Sequence, residues 1–218
     1  TLLPIVGLVG SNNLSTAIII LGIGVILIFA ASPRYIQFAA LGGAGIGFIA
    51  IFLAAESYRL ERLAIWREPE KYEKGFQTIQ GLYAIGSGGL FGRGIGNSIQ
   101  KLGFVPEAQN DMIFSIICEE MGLTGAIILI LIFALLLWRL CVISMNCQEL
   151  SGAMIAAGIM GHLAIQVILN IAVVTNTIPN TGITLPFISY GGTSIVFLLG
   201  EMGLALNVSR QKNNPPTR

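Results

Sequence analysis

Between Pro106 and Glu120 the chain places Glu107, Asp111, Glu119 and Glu120 where a polar loop passes into an apolar run. An acidic side chain at a lipid boundary is unfavourable unless it meets water, a partner or a ligand, so this cluster is the first candidate for acid–base chemistry. Asp111 stands just ahead of a helix expected to begin near Met112. An Asp there also has a structural use, because it can accept the free N–H groups of a helix start and complement the dipole. Glu107, Arg93 and Lys101, in the same polar segment, turn the reading toward chemistry. If residues 111–120 were helical, at ~1.5 Å and ~100° per residue, Glu119 would lie about 12 Å beyond Asp111 and Glu120 on the opposite face. Paired glycosidase carboxylates stand ~5–9.5 Å apart, so a two-carboxylate hydrolase is not supported. Glu119 and Glu120 are expected to face a wet cavity or polar partners, in helix packing or at a substrate.

His162, Gln166 and Asn170 recur every fourth residue and form one polar stripe, which interhelical hydrogen bonding accounts for. The only histidine falls near the opposite end of its helix from Asp111, which argues against an Asp–His couple. Cys118, Cys141 and Cys147 match neither a disulfide framework nor a zinc pattern. Six glycines in the eleven residues Gly86–Gly96 are expected to break regular helix, and the order of that stretch must come from neighbours or ligand. Neither nucleotide-loop spacing is present there. Residues 176–194 are rich in turn formers and hydroxyls, Ser189 and Tyr190 among them, and could wall a groove on the side of Asp111.

The elements that must hold these residues are membrane helices. Of 218 residues, 54% are hydrophobic and 11% charged, with a mean hydropathy of +0.80. That is too apolar for a soluble domain of this length, and the chain is expected to be all-α, a polytopic transmembrane bundle. Runs long enough to cross a ~30 Å hydrocarbon core fall at 14–31, 36–55, 113–138, 152–175 and 187–208. These make five full spans, and residues 1–10 resemble the end of a sixth, as in a C-terminal fragment. A single membrane domain over 1–218 is the simplest partition. Arg34, Arg139, Arg210, Lys212 and Arg218 mark the cytoplasmic side, which leaves Ser11–Asn13, the long loop 56–112 and residues 176–186 outside. Phe76, Ile79, Leu82 and Tyr83 suggest a short amphipathic helix lying on the outer membrane surface, with Gln77 and Gln80 on its polar face. The near-neutral net charge of +1 gives no argument for nucleic acid.

Three blocks, Gly75-Phe76-Gln77-Thr78-Ile79-Gln80-Gly81 through Gly92, Pro106-Glu107-Ala108-Gln109-Asn110-Asp111 with Glu119-Glu120-Met121-Gly122, and Thr181-Gly182-Ile183-Thr184-Leu185-Pro186-Phe187-Ile188-Ser189-Tyr190-Gly191-Gly192, resemble the signature blocks of the SEDS family of FtsW, RodA and SpoVE. The wording of 176–182 is more like the division type, FtsW. The resemblance implies the C-terminal part of a ten-helix fold. It also implies a peptidoglycan glycosyltransferase that polymerises lipid II at the outer face of the bacterial cytoplasmic membrane, with a class B penicillin-binding protein and other divisome proteins as partners. It places the catalytic aspartate on Asp111. Beside it, Glu107, Arg93, Lys101, Gln80, Ser189 and Tyr190 form the candidate substrate-binding set, and Mg or Mn is a candidate cofactor for the leaving diphosphate. A lipid-precursor transporter, which would use the intramembrane polar residues, and a non-catalytic divisome scaffold are the alternatives. Ser11-Asn12-Asn13 departs from the family wording before Leu14, and Met112 replaces a common Phe.

Overall fold

In the computed structural model, residues 2–31, 42, 43, 45, 47 and 57–211 are described; most of the span expected at 36–55, the Arg34 loop and the tail from Lys212 lie outside them. The described residues contain seven α-helices: α1 (Leu2–Asn12), α2 (Leu14–Ala31), α3 (Ser57–Arg67), α4 (Phe76–Gly88), α5 (Ile113–Asn146), α6 (Leu150–Val174) and α7 (Gly192–Gln211). Short 3-10 turns at Pro69–Lys71, Glu73–Gly75 and Gln100–Leu102 join the outer pieces, and no strand occurs among the described residues. Among the described residues four helices, α2, α5, α6 and α7, are long and apolar enough to cross a membrane. The last span starts at Gly192 rather than 187, because Phe187 has a φ of 64° that no helix accepts and the chain stays irregular to Gly191.

The helices gather into two compact units, each discontinuous in sequence. The first comprises residues 1–55, 135–165 and 193–218. In it α1 folds back on α2, with Leu2 over Gly24, and Asn13 caps α2 by accepting the Thr16 N–H at 3.1 Å. Ile165 and Ile26 fit over Gly22 and Gly161, joining α2 to the first part of α6. His162 Nδ1 meets Glu201 Oε1 at 2.9 Å, linking α6 to α7.

The second unit, residues 56–134 and 166–192, holds the carboxylate cluster. Its core is Met112, Phe114, Ile116, Cys118, Ala126 and Phe133 of α5 and the turn before it, packed with Val105, Val167, Val174 and Leu185. α4 does not lie flat as an isolated surface helix. Its small residues Gly81, Ala84 and Gly88 are buried, and Gly81 faces Met112 and Ser115 while Gly88 faces Cys118 and Glu119. The stripe therefore docks α4 side by side with the first turns of α5, running in the same direction, as small residues allow at close helix contacts. The helix also extends through Gly86, Ser87 and Gly88, which sequence assigned to the irregular glycine stretch, and ends only at Gly89 with φ 56°.

α5 is broken at Gly122 (φ 66°, ψ −165°). In an unbroken helix the N–H groups of Leu123 and Thr124 would donate to the carbonyls of Glu119 and Glu120. Here Leu123 and Thr124 donate instead to the carbonyls of Gly89 and Leu90 (2.9 and 3.1 Å), while the N–H groups of Arg93 and Gly94 donate to the carbonyls of Glu119 and Glu120 (both 2.9 Å). The glycine loop thus replaces the helical bonds that the break removes, which membrane-level backbone requires. A Cβ on Gly92 would meet Glu120 O at 2.1 Å, so the interlock needs glycine there.

Candidate functional site

Asp111 sits in the turn before α5, only 8% exposed, on the wall of a cleft of about 380 Å³. The cleft is lined from α3 by Glu61, Arg62, Ile65 and Trp66, from the turn before α4 and its first residues by Lys74, Gln77 and Thr78, and from the other side by Asn176 and residues 180–182. α3 is placed by Trp66, whose indole N–H donates to Asn176 O at 2.9 Å, and by Arg62, whose guanidinium donates to Asn180 O at 3.2 Å. Lys74 pairs with Glu61 at 3.0 Å.

The backbone leading into Asp111 is held carbonyl by carbonyl. Tyr190 N–H donates to Gln109 O (2.8 Å), Ser189 Oγ to Asn110 O (2.6 Å) and Asn170 Nδ2 to Asp111 O (2.8 Å). The same Asn170 amide also donates to Ile183 O at 2.7 Å, and Ser189 Oγ accepts the Leu185 N–H at 2.7 Å. On the cleft side Gln77 Nε2 lies 3.4 Å from Asp111 Oδ1, and its carbonyl accepts from Asn180 at 3.3 Å. Burial pushes the Asp111 carboxyl above its ordinary value of 3.8, and the nearby Glu107 adds to the rise; hydrogen bonds from the backbone at Asp111 and Met112 and from Gln77 act against it. The helix-start use foreseen for this residue is present, since its carboxyl accepts from the backbone at Met112, and its affinity for a proton is raised. Glu107, Asn176 and Phe187 hold positive φ angles of 53°, 54° and 64° in the segments around it, strain of the kind that accumulates at functional sites.

The other expected site residues divide. Glu107 is exposed and accepts from Asn110 Nδ2, on a separate groove it shares with Lys101, Val105 and Ile113. Arg93 lies 3.7 Å from Glu119, and Lys101 2.6 Å from Glu120. Buried Glu119 further accepts from Ser98 Oγ (2.5 Å) and from the N–H groups of Ile99 (3.2 Å) and Gln100 (3.3 Å), so polar partners rather than a wet cavity meet it. Arg93 and Lys101 thus neutralise carboxylates of the interlock, and the cations lining the Asp111 cleft are Arg62 and Lys74. Gln80 lies beyond the cleft lining on α4. Ser189 is buried with its hydroxyl used in both directions, while the Tyr190 side chain is exposed. Arg62, Trp66 and Lys74 went unnoticed in sequence, whereas Asn180 falls in the 176–194 stretch expected to wall a groove beside Asp111. Arg62, Ile65 and Trp66, at i, i+3 and i+4, are a one-face helix signal that marks them.

Comparison with known proteins gives concordant results. The family model described as "Cell cycle protein", for FtsW, RodA and SpoVE, matches residues 1–214. Stage V sporulation protein E of Bacillus subtilis is 45% identical over 201 residues, covering 91% of this chain and 55% of that protein. Probable peptidoglycan glycosyltransferases FtsW are 38% identical over 199 residues in Trichlorobacter lovleyi (90% of this chain, 52% of that protein) and 41% over 207 in Thioalkalivibrio sp. K90mix (93% and 52%). The chain thus spans about half the length of the curated relatives it matches. Among solved structures, a chain from a study of the structural coordination of polymerization and crosslinking by a peptidoglycan synthase complex superposes with a TM-score of 0.78 at 28% identity, over 98% of this chain and 61% of that one. The rod shape determining protein RodA of Thermus thermophilus gives a TM-score of 0.61 at 28% identity, over 98% and 55%.

Proposed function

This chain belongs to the FtsW, RodA and SpoVE family of cell cycle proteins, an integral membrane family, and on that premise we propose that it carries the catalytic base of a peptidoglycan glycosyltransferase that polymerises lipid II at the outer face of the cytoplasmic membrane during division. The observation that carries the reading is Asp111: a buried carboxyl of raised proton affinity, backbone-pinned on the wall of a polar cleft.

In the proposed step the 4-hydroxyl of the acceptor sugar attacks the anomeric carbon of the donor. A C–O bond forms, the hydroxyl proton passes to the Asp111 carboxylate, and the bond to the diphosphate breaks, with its electron pair leaving on the polyprenyl diphosphate. A positioned base contributes ~10²–10⁴-fold to such a step. Arg62 and Lys74, which line the same cleft, supply positive charge for the leaving group. Among the described residues no three of His, Cys, Asp and Glu converge. A cation such as Mg or Mn would find Glu61 and Asp111 as the carboxylates of this cleft, and would supply neutralising charge for the leaving diphosphate. The proposed protein partner is a class B penicillin-binding protein with its divisome companions.

The test is polymerisation of purified lipid II by the full-length protein with its partner, wild type against Asp111→Asn, each with and without a chelator. Glycan strands from wild type alone support the base. Equal strands from both variants reduce Asp111 to a helix-start residue and sink the reading. Loss of wild-type activity in chelator identifies the cation as required.

A further inference from the structure

α5 carries an uncharged, largely apolar run, Leu123–Trp138, bounded by Arg139 on one side and by Glu119 and Glu120 on the other. At ~1.5 Å per residue, about 20 residues cross a ~30 Å hydrocarbon core. Counting back that far from Arg139, the cytoplasmic end, reaches Glu119 and Glu120, so these mark the outer edge of the hydrocarbon. The glycine loop is bonded to that very stretch, Gly89 and Leu90 to residues 123 and 124, Arg93 and Gly94 to residues 119 and 120. α4 descends beside the first turns of α5 to reach it, and the chain climbs back through the Gln100–Leu102 turn to Asp111. Residues 76–105 therefore form a hairpin whose tip lies level with the lipid boundary.

At that tip Leu90, Phe91 and Ile95 are 63%, 81% and 82% exposed, large apolar side chains that the rest of the unit leaves uncovered. The charged groups beside them are paired inward, Arg93 with Glu119 and Lys101 with Glu120, and the loop's Gly92, Arg93 and Gly94 N–H groups are all bonded. A tip with matched charges, satisfied backbone and outward apolar side chains suits the boundary between headgroups and acyl chains.

We propose that this tip is a membrane anchor: Leu90, Phe91 and Ile95 seat in the outer leaflet of the bilayer and hold the Asp111 turn at a fixed height above the hydrocarbon. From Glu119 back to Ile113, where α5 begins, helical rise gives about 9 Å, and the Asp111 turn lies beyond that end, so the base stands at the level of a lipid-linked sugar rather than within the acyl region. The anchor depends on the position of the loop along α5 and not on the chemistry assigned to Asp111.

The test uses full-length Phe91→Trp, with wild type as the blank for native tryptophans, reconstituted in phosphatidylethanolamine–phosphatidylglycerol vesicles whose acyl chains are brominated near the glycerol end. The added emission should be roughly halved by the brominated lipid and little affected by aqueous acrylamide, as for an interfacial aromatic side chain. Ile95→Trp repeats the measurement should the first variant misfold. Quenching by acrylamide but not by lipid puts the tip in water and overturns the anchor. Quenching by neither means that protein covers the tip, which overturns it in favour of a protein partner.

Discussion

Asp111 combines a raised proton affinity with a pinned backbone, and each property has a measurable consequence. The acid limb of the pH–rate profile should lie above the ordinary carboxylate value of 3.8, because the proposed step needs the deprotonated carboxylate and burial holds the proton on. The linkage has the same origin. With the folded value raised, the fold favours the neutral acid: below 3.8 both states are neutral and no penalty exists, and as pH climbs through the raised value the folded state takes on a charge at a cost. Asp111→Asn should therefore be inactive yet at least as thermally stable as wild type at neutral pH, and melts compared at pH 7 and at acid pH check this. The pinning belongs to Asn170 and Ser189. Asn170→Ala leaves the carbonyls of Asp111 and Ile183 without their donor, each at about 1–3 kcal/mol, and should lower kcat at least about tenfold with KM little changed. Ser189→Thr, which keeps the hydroxyl, should retain more activity than Ser189→Ala. Asp111 itself was legible as a carboxylate at a lipid boundary. The positioning roles of Asn170 and Ser189 were not, because a stripe of polar residues and a loop hydroxyl say nothing of which carbonyl, tens of residues away, they will meet.

Helices were the most legible elements, since apolar runs of spanning length leave few alternatives. Less legible was what α4 and α5 do to each other. Gly122 lies within the expected span 113–138, and Gly86–Gly96 reads as a loop; only the structure shows that the break in one is repaired by the backbone of the other. Likewise the apolar pattern of Phe76, Ile79, Leu82 and Tyr83 suggests a surface helix, while the residues that dock it are the small ones, Gly81, Ala84 and Gly88, which carry little hydrophobic signal. The interlock should be intolerant of side chains. Gly122→Ala introduces a Cβ that would meet Gly92 N at 2.4 Å at a positive φ, and Gly88→Ala one that would meet Cys118 O at 1.9 Å. Each contact is with backbone that cannot turn aside, so each substitution should destabilise by at least about 1–3 kcal/mol. Thermal unfolding of the purified protein in detergent reads this out. A melt unchanged within error for both would show that the break and the loop are not coupled.

For the molecule as a whole, the division into two compact units separates the readings of its function. The carboxylate cluster and its cleft lie in one unit, whereas His162 and Glu201 lie in the other and are bonded to each other. A transporter would use the intramembrane polar residues as a pathway, yet along the stripe His162 serves as a staple between α6 and α7 and Asn170 as a clamp on two backbone carbonyls. Of the stripe expected to make interhelical hydrogen bonds, His162 does so, while Asn170 instead meets carbonyls of the turn before α5 and of the 176–186 connection, because a period of four residues records the face of a helix and not what lies opposite. His162→Ala should therefore remove an interhelical contact worth about 0.6–1.7 kcal/mol and lower thermal stability by that order. Lipid II polymerisation at a temperature where the variant remains folded should stay within about threefold of wild type, for a loss of that size acts on stability and not on the Asp111 cleft. If polymerisation survives in His162→Ala and fails in Asp111→Asn, the enzyme reading holds. If lipid movement across vesicles fails in His162→Ala while Asp111→Asn is mild, the transporter reading takes its place.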